Sequence, residues 1–305
     1  MNGRPVVVGV DGSPAALGVV RWAVDDAIRR DRDLRIVHVA EPWVFDQSLA
    51  TPPGFHESLT ERSQAVLTEA AKVARDRAPG LRVETVARTG NVRKELLRES
   101  HDAEVLVVGS RGLGGFMGLV LGSVSMGVTG HADCPVVVAV HVQETAYGEI
   151  VVGHDVSPES ETALEFAFEE AARRGARLRA VYAWQVSVFL PMFTSYTSDL
   201  EQIYDVGTRA AKEQLLPWRD KYPQVEVHDT VVRAHPVEAL AEASSRADLL
   251  VVGSRGRGAF GSAVLASVGH GVLHHAYCPV AIVRPHPSSA PAVDRGPSGG
   301  GGLGR

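Results

Sequence analysis

Cysteine is almost absent from the sequence: Cys134 and Cys278 are the only two among 305 residues. Two cysteines cannot form the disulfide framework of a small secreted domain, so we expect a reducing compartment, the cytoplasm. Each cysteine precedes Pro-Val and an apolar run. We therefore interpret both as small buried residues that lead into a strand, and not as redox groups.

Long apolar runs and an excess of positive charge are also missing. No apolar stretch approaches the roughly 20 residues that span a bilayer. The apolar run near the N-terminus is followed at once by Asp11, which is typical of a strand and not of a signal peptide. The formal net charge of -5 argues against a nucleic-acid-binding surface. We expect a globular protein with no membrane segment and no nucleic-acid partner.

What the sequence does contain is one pattern written twice. The stretch VVGSRGLGGFMG, starting at Val107, returns 144 residues later as VVGSRGRGAFGS, starting at Val251. Between Leu106 and Val136, 20 of 31 positions are identical to the residues at that offset. The first and last strands of the two copies keep the same offset. A constant offset over so long a stretch indicates duplication of a complete folding unit.

The boundaries of the two units follow from where the apolar pattern lapses. We predict a first domain at 1–143 and a second at 148–285. The remaining segment, 286–305, is rich in proline, glycine and serine, and we expect it to be disordered.

Within each unit, apolar strands alternate with amphipathic helices. The run PVVVGV is β-branched throughout, which is typical of a strand buried on both faces. Ser13 can cap the helix that follows, and Pro14 suits its first position. Apolar residues then recur at helical spacing: Leu17, Val20, Val24 and Ile28. The alternation continues through five strands and four helices. It predicts an α/β fold of two tandem Rossmann-like (doubly wound) domains, each a five-stranded parallel sheet flanked by helices.

Two chemistry-bearing segments are expected at one edge of each sheet. Ligands of such sheets bind beyond the carboxyl ends of the strands, where the strand order reverses. Asp11 ends the first strand. An Asp before a helix often only caps it, but because Ser13 fills the cap position we expect the Asp11 carboxylate to be freer for a ligand. A glycine-rich loop follows the fourth strand. Its backbone can approach an anion closely, and the next helix start adds free N–H groups and a partial positive charge. Ser123 and Ser125 add hydroxyls there.

The loop favours phosphate binding, although by itself it is explained equally well as a tight turn. It is not a P-loop, because no lysine follows the glycines, and it is not the dinucleotide fingerprint, which follows strand one. Its spacing, Gly109-x2-Gly112-x9-Gly122-Ser123, resembles that of ATP-binding universal stress proteins. The segments VGVDGSPAA and HADCPVVVAV are also similar to the first and last strands of that family. The resemblance covers nearly all of the chain except the tail.

The resemblance implies a tandem member that binds ATP together with Mg²⁺. In the first domain the contacts it implies are Gly9, Val10, Asp11, Val39, Val108, Gly109, Gly112, Gly122, Ser123, Val124 and Ser125. We add Arg111 because it lies inside the loop, where it is either near phosphate or simply solvated. Asp11 would lie near the ribose or a phosphate-bound Mg²⁺, with no metal held by the protein alone. The matching second-domain positions are Gly153, His154, Asp155, Ala183, Val252, Gly253, Arg255, Gly256, Ala266, Ser267, Val268 and Gly269.

The second copy departs from the pattern at three positions. Ala266 replaces the third glycine, Val156 replaces Gly12, and Gly269 replaces Ser125. If the third glycine needs a positive φ, alanine is strained there. If the glycine only allows close approach, a methyl group crowds a phosphate. We predict that the second domain binds ATP more weakly than the first, or not at all.

The function that follows is an ATP-binding stress-response module whose nucleotide state governs a partner protein that the sequence does not identify. One alternative is a slow ATPase or phosphotransferase on the same fold, and another is a scaffold whose second domain has lost ATP. We predict no catalytic residue, since neither a base for water nor a Ser-His-Asp arrangement recurs in both halves. The apolar final strands are expected to pair edge to edge, giving a homodimer or an intrachain pseudo-dimer.

Overall fold

The computed structural model of the chain describes residues 3–41, 55–112, 121–142, 145–184, 197–254 and 267–284. Within them, each half contains five strands and four helices in alternation, as the sequence predicts. The predicted disordered tail, 286–305, lies outside the described residues.

The first half contributes nine elements in chain order: β1 (Val6–Val10), α1 (Pro14–Arg30), β2 (Leu34–Ala40), α2 (Phe55–Arg77), β3 (Val83–Thr89), α3 (Val92–Ser100), β4 (Val105–Gly109), α4 (Ser123–Thr129) and β5 (Val136–Ala139). The second half repeats them: β6 (Glu149–His154), α5 (Glu161–Arg174), β7 (Arg177–Ala183), α6 (Thr197–Lys221), β8 (Val227–Val232), α7 (Pro236–Ser244), β9 (Leu249–Gly253), α8 (Ser267–His275) and β10 (Val280–Val283). A short 3-10 turn, Pro158–Ser160, precedes α5.

All ten strands form one sheet, in the order β3-β2-β1-β4-β5-β10-β9-β6-β7-β8. Strands are parallel within each half, while β5 and β10 pair antiparallel, with Val137 opposite Ala281. The final strands therefore pair inside one chain, which is the intrachain form of the predicted edge-to-edge contact. The pairing leaves the two halves related by a pseudo-twofold axis.

Two apolar layers cover the sheet, and each runs without a break through both halves. Successive strand residues point to opposite faces. Val6 and Val8 pack with α1 and α2 in the same cluster as Ile150 of the second half. Val7 and Val151 belong to the opposite cluster, together with residues of α3 and α7. None of the described helices is long and apolar enough to cross a membrane.

Helix α1 starts where the sequence predicts. The hydroxyl of Ser13 accepts from the Ala16 N–H at 3.3 Å, and Pro14 is the first helical residue. Of the apolar residues at helical spacing, Val24 is fully buried, whereas Ile28 is 52% exposed. The reason is that α1 packs a different face, which includes a charged pair, against the second half.

The two cysteines are buried free thiols, as expected. Burial raises the pKa of Cys134 and of Cys278 to about 12 in each case. Since only the thiolate is reactive, both thiols are inert near neutral pH.

Candidate functional site

The candidate site of the first half lies where the strand order reverses, between β1 and β4. Strand β1 pairs with β2 on one side and with β4 on the other, all parallel, so their carboxyl ends share one edge. Val10 is the last residue of β1, and Val39 and Val108 are the last but one of β2 and β4; all three side chains are buried. Any contact from these three residues to a ligand would therefore come through the backbone. The Val10 carbonyl is already engaged, at 2.8 Å from Nδ1 of His38.

Asp11 forms the turn between β1 and α1. Its Oδ1 accepts from the backbone N–H of Ser13 at 2.9 Å. One carboxylate oxygen of Asp11 is thus engaged within the turn, although Ser13 takes the cap position as expected. Ser13 caps α1 with its hydroxyl, and Asp11 in turn fixes the backbone of Ser13. The hydrogen bond orients the Asp11 side chain at the edge of the sheet.

The second motif glycine meets Asp11 directly. A Cβ on Gly112 would lie 2.8 Å from Asp11 Oδ2, so only glycine fits there without a shift. The loop after β4 therefore closes against the carboxylate that ends β1. The structure thus brings together the end of β1 and the start of the loop after β4, as the sequence predicts. They meet at Gly112, the second glycine of the G-x2-G-x9-G-S spacing.

The third motif glycine closes the same loop from its far end. The Gly122 N–H donates to the Ser110 carbonyl at 2.7 Å, and the Ser125 hydroxyl donates to the Gly109 carbonyl at 2.6 Å. These bonds tie the start of α4 back to the end of β4. They also mean that neither the Gly122 N–H nor the Ser125 hydroxyl proton is available to a phosphate in this arrangement.

The start of α4 still offers donors. Gly122 is the N-cap residue and has no side chain to cap the helix, while Ser123 is exposed. The first N–H groups of a helix have no partner within the helix. However, α4 has only seven residues, so the partial charge expected from its dipole is small. The useful property of this segment is the uncapped backbone. Arg111 is exposed beside it.

Gly9 and Gly153 have a packing reason of their own. An added Cβ would lie 3.2 Å from Leu96 at Gly9, and 2.8 Å from Leu240 at Gly153. Both glycines let α3 and α7 sit close to the first strand of their half. Packing thus explains the glycine at each of these positions without a ligand, although the backbone of both remains at the edge of the site.

The second half repeats the turn but with a strained residue. Asp155 Oδ1 accepts from the Ser157 N–H at 3.1 Å, as Asp11 does in the first half. The next residue, Val156, has a φ of 62°, whereas Gly12 at the matching position has 83°. A β-branched residue in the left-handed region is a genuine outlier. The two halves share the turn, but only the first has a residue suited to its left-handed backbone.

His154 replaces Val10 and changes the chemistry of this edge. Its ring is buried, and Nδ1 lies 2.9 Å from Gln214 Oε1. The Gln214 amide in turn donates to Glu161 at 2.8 Å. Burial lowers the pKa of His154, outweighing the opposing bond from Gln214 and the charges of Asp155, Asp229 and Glu161. The imidazole is therefore held neutral, as a packed hydrogen-bonding residue and not as an exposed ligand contact.

The loop after β9 is described only at its two ends. Arg255, Gly256 and Ala266 lie outside the described residues. Val252 is buried, and the strand-end residues Gly253 and Ala183 are half-buried. At the far end, Ser267 is exposed, Val268 half-buried and Gly269 buried. Ser254, the counterpart of Ser110, has a buried hydroxyl with no partner among the described residues.

Sequence reasoning missed two features of these edges. Val66 of α2 lies over the β1 turn, since a Cβ on Gly12 would be 2.7 Å from its Cγ2. Gln214, the partner of His154, lies 60 residues away on α6. The only sequence signal for Gln214 was that a histidine replaces an apolar strand residue, since a buried histidine needs a polar partner.

Comparison with known proteins agrees with this architecture. The model of the universal stress protein family matches the chain twice, at residues 3–140 and 146–284. A universal stress protein of Mycolicibacterium smegmatis is 35% identical over 291 residues, covering 92% of this chain and 97% of that protein. One of Mycobacterium tuberculosis is 35% identical over 288 residues, covering 92% and 96%.

Among solved structures, a universal stress protein from Archaeoglobus fulgidus aligns with a TM-score of 0.66 and 22% identity, covering 92% of this chain and 97% of that one. At that identity the likeness concerns the fold alone. The two family matches and the full-length relatives decide the assignment: the chain belongs to the universal stress protein family, with two family domains in tandem.

Proposed function

We propose that the chain binds ATP, with Mg²⁺, at the carboxyl edge of its first half, and acts as a nucleotide-dependent regulatory module. The observation that carries the proposal is the meeting of Asp11 with Gly112: a Cβ on the glycine would lie 2.8 Å from the carboxylate. It joins the acidic end of β1 to the loop with the spacing of the family's ATP-binding members. We also propose domain limits of 1–143 and 148–285, and a cytoplasmic location consistent with two free thiols.

The surroundings fit a nucleotide in three respects. Gly122 leaves room, since its added Cβ would meet nothing nearer than 3.6 Å. The uncapped start of α4 offers backbone donors beside the exposed Ser123, and anions are stabilised where such donors converge. The Asp11 carboxylate, oriented by its bond to the Ser13 N–H, supplies an oxygen of the kind that Mg²⁺ or a ribose hydroxyl takes.

The test is calorimetric titration of the full chain with ATP in the presence of Mg²⁺. We expect saturable binding, and a loss of about tenfold or more in affinity for Asp11→Asn, since one charge-assisted contact is worth about 1.5–3 kcal/mol. Gly112→Ala is expected to weaken binding similarly by displacing the carboxylate. Gly80→Ala is the matched control, because its Cβ would meet no atom within 4 Å. A native chain indifferent to millimolar ATP contradicts the proposal.

A second measurement separates a binder from an enzyme. Turnover of labelled ATP at stoichiometric protein is expected to be negligible over the lifetime of the complex. Mass spectrometry of the small molecules released on denaturing the purified chain identifies the ligand it retains. Steady hydrolysis that Asp11→Asn abolishes would instead favour the slow ATPase.

A further inference from the structure

A cleft of about 330 Å³ lies where the two halves meet, away from the nucleotide edge. The segments around it are the amino ends of β1, β4 and β5, the first turns of α5, and the end of β10. Its volume falls within the roughly 300–1,000 Å³ typical of small-molecule pockets. The cleft is formed only because β10 of the second half pairs with β5 of the first.

The acidic side chains that line the cleft already face basic groups. Their partners lie within 4.0 Å and are as follows: Arg30 and Arg32 for Glu104, His101 for Asp133, Lys221 for Glu165, and Arg173 for Glu169. Arg30 is in turn held by two buried carboxylates. The charges of Glu104, Glu165 and Glu169 are therefore paired within the protein, while Asp133 faces a cation only when His101 is protonated.

Two arginines at the cleft are different. Neither Arg4 nor Arg284 forms a salt bridge with any carboxylate in the part of the chain that the structure describes. Arg284 Nη1 donates to the Ala132 carbonyl at 3.2 Å, which fixes the side chain but leaves most of its five donors unused. Arg4 lies near Cys134, two residues after Ala132. Both guanidinium groups thus flank the turn that leads into β5.

The pair is not an inheritance of the duplication. At the pseudo-symmetric positions the chain has Gly148 in place of Arg4 and Val140 in place of Arg284. The related surface on the other side of the axis therefore lacks both cations. A feature that belongs to one side alone is not explained by the symmetric packing of the halves.

We propose that this cleft binds a small organic anion, whose carboxylate or phosphate group is held by Arg4 and Arg284. Guanidinium groups bind both kinds of group through paired N–H donors. Thr162 adds a hydroxyl, and Pro135, Phe166 and Val283 provide an apolar wall for the rest of the ligand. The site is separate from the nucleotide edge and does not depend on the function proposed there.

The experiment is calorimetric titration of the full chain with citrate and, separately, with inorganic phosphate at low ionic strength. The probes distinguish a carboxylate site from a phosphate site by which one binds more tightly. We expect one-to-one binding that Arg4→Gln and Arg284→Gln each weaken about tenfold. Arg246→Gln, which changes an exposed arginine outside the cleft, is the matched control and should leave affinity unchanged. Gly122→Ala, which fills space at the nucleotide edge, should also leave the affinity for the probe unchanged.

Three outcomes would overturn the proposal. One is the absence of binding by either probe at millimolar concentration. Another is an equal loss in the Arg246→Gln control, which would mean general surface attraction. The third is a loss of probe binding in Gly122→Ala, which would place the anion at the nucleotide edge. Thermal unfolding of each variant checks that the substitutions leave the fold intact.

Discussion

Gly122 decides between the two explanations offered for the third motif glycine. Its φ is -80° and its ψ 152°, an extended conformation that any residue adopts. The hypothesis that this position needs a positive φ is therefore wrong. An added Cβ would make only ordinary contacts, the nearest at 3.6 Å to the Ser110 carbonyl oxygen. What glycine provides here is open space above the backbone.

A substitution at this residue separates stability from binding. Gly122→Ala is expected to change the free energy of unfolding by less than about 1 kcal/mol, because backbone and neighbours accept a methyl group. ATP affinity should fall about tenfold, since the methyl occupies space that a phosphate would use. Urea unfolding and calorimetry on the same preparation measure both. Unchanged affinity would move the phosphates away from Gly122.

The β1 turn shows the opposite case, in which φ does matter. Val156→Asn should stabilise the chain by about 1 kcal/mol, because asparagine tolerates the left-handed region that costs valine roughly 1–2 kcal/mol. Gly12→Val is the reciprocal change and should destabilise, since its Cβ would also meet Val66 at 2.7 Å. Thermal unfolding of both variants checks the pair. A destabilised Val156→Asn would show that packing of the valine outweighs the strain.

His154 gives the second half a pH dependence that Val10 cannot give the first. The folded chain holds the imidazole neutral, while the unfolded chain protonates it below about pH 6.5. The unfolded state then binds more protons, so this contribution is full above that pH and is lost as the pH falls. We expect the wild type to lose more stability than His154→Val between about pH 7.5 and 5.5. Parallel urea curves across that range would contradict this.

At the scale of elements, α4 and α8 are held differently. The Ser125 hydroxyl ties α4 to the end of β4, but Gly269 at the matching position has no side chain to tie α8 to β9. Together with Ala266 in place of the third glycine, this weakens the case for a second nucleotide site. The two halves share a fold, but only the first has a side chain at this position that ties the helix to the preceding strand.

The expected consequence is unequal occupancy. Titration of the full chain with ATP and Mg²⁺ should give a stoichiometry near one per chain in the tight phase. Asp11→Asn should remove that phase, while Asp155→Asn, the same change at the pseudo-equivalent turn, should leave it intact. Two equal sites would contradict unequal occupancy. A loss caused by Asp155→Asn alone would place the tight site in the second half.

At the scale of the whole molecule, some features could be predicted from the sequence and some could not. The offset of 144 predicted two equivalent units, and alternating patterns predicted five strands in each. The cap at Ser13 was predictable because it depends on local chemistry. The exposure of Ile28 was not, since it depends on how α1 packs against α5, a contact between residues about 140 positions apart.

That contact is a buried ionic network. Each helix carries an acid and, four residues later, an arginine, at matching repeat positions: Asp26 and Arg30 on α1, Glu170 and Arg174 on α5. Arg30 binds the acid of its own helix and that of the other, both at 2.6 Å, and Arg174 does the same at 2.9 and 3.0 Å. Each guanidinium also lies over an aromatic ring of the facing helix, Phe166 or Trp22.

The network holds its charges in place despite burial. Burial alone would raise the pKa of Glu170, but Arg30, Arg174 and Arg173 together keep it below its usual range. This contribution to stability is present above the ordinary glutamate pKa and is lost as the pH falls through the lowered value. Removing one partner at neutral pH leaves the others uncompensated, which is more costly than never having buried the group.

Arg30→Met should therefore lower the free energy of unfolding by about 3–5 kcal/mol, because it leaves the buried carboxylates of Asp26 and Glu170 with one buried arginine, Arg174, in place of two. Arg77→Met is the matched control: Arg77 makes two bonds of 2.6 Å to Asp25, but at the surface, and its loss should cost below about 1 kcal/mol. Urea unfolding followed by circular dichroism measures both. If removing the buried arginine costs no more than removing the exposed one, the charges between α1 and α5 contribute nothing measurable to stability. The two halves are then held together by β5–β10 pairing and apolar contact alone.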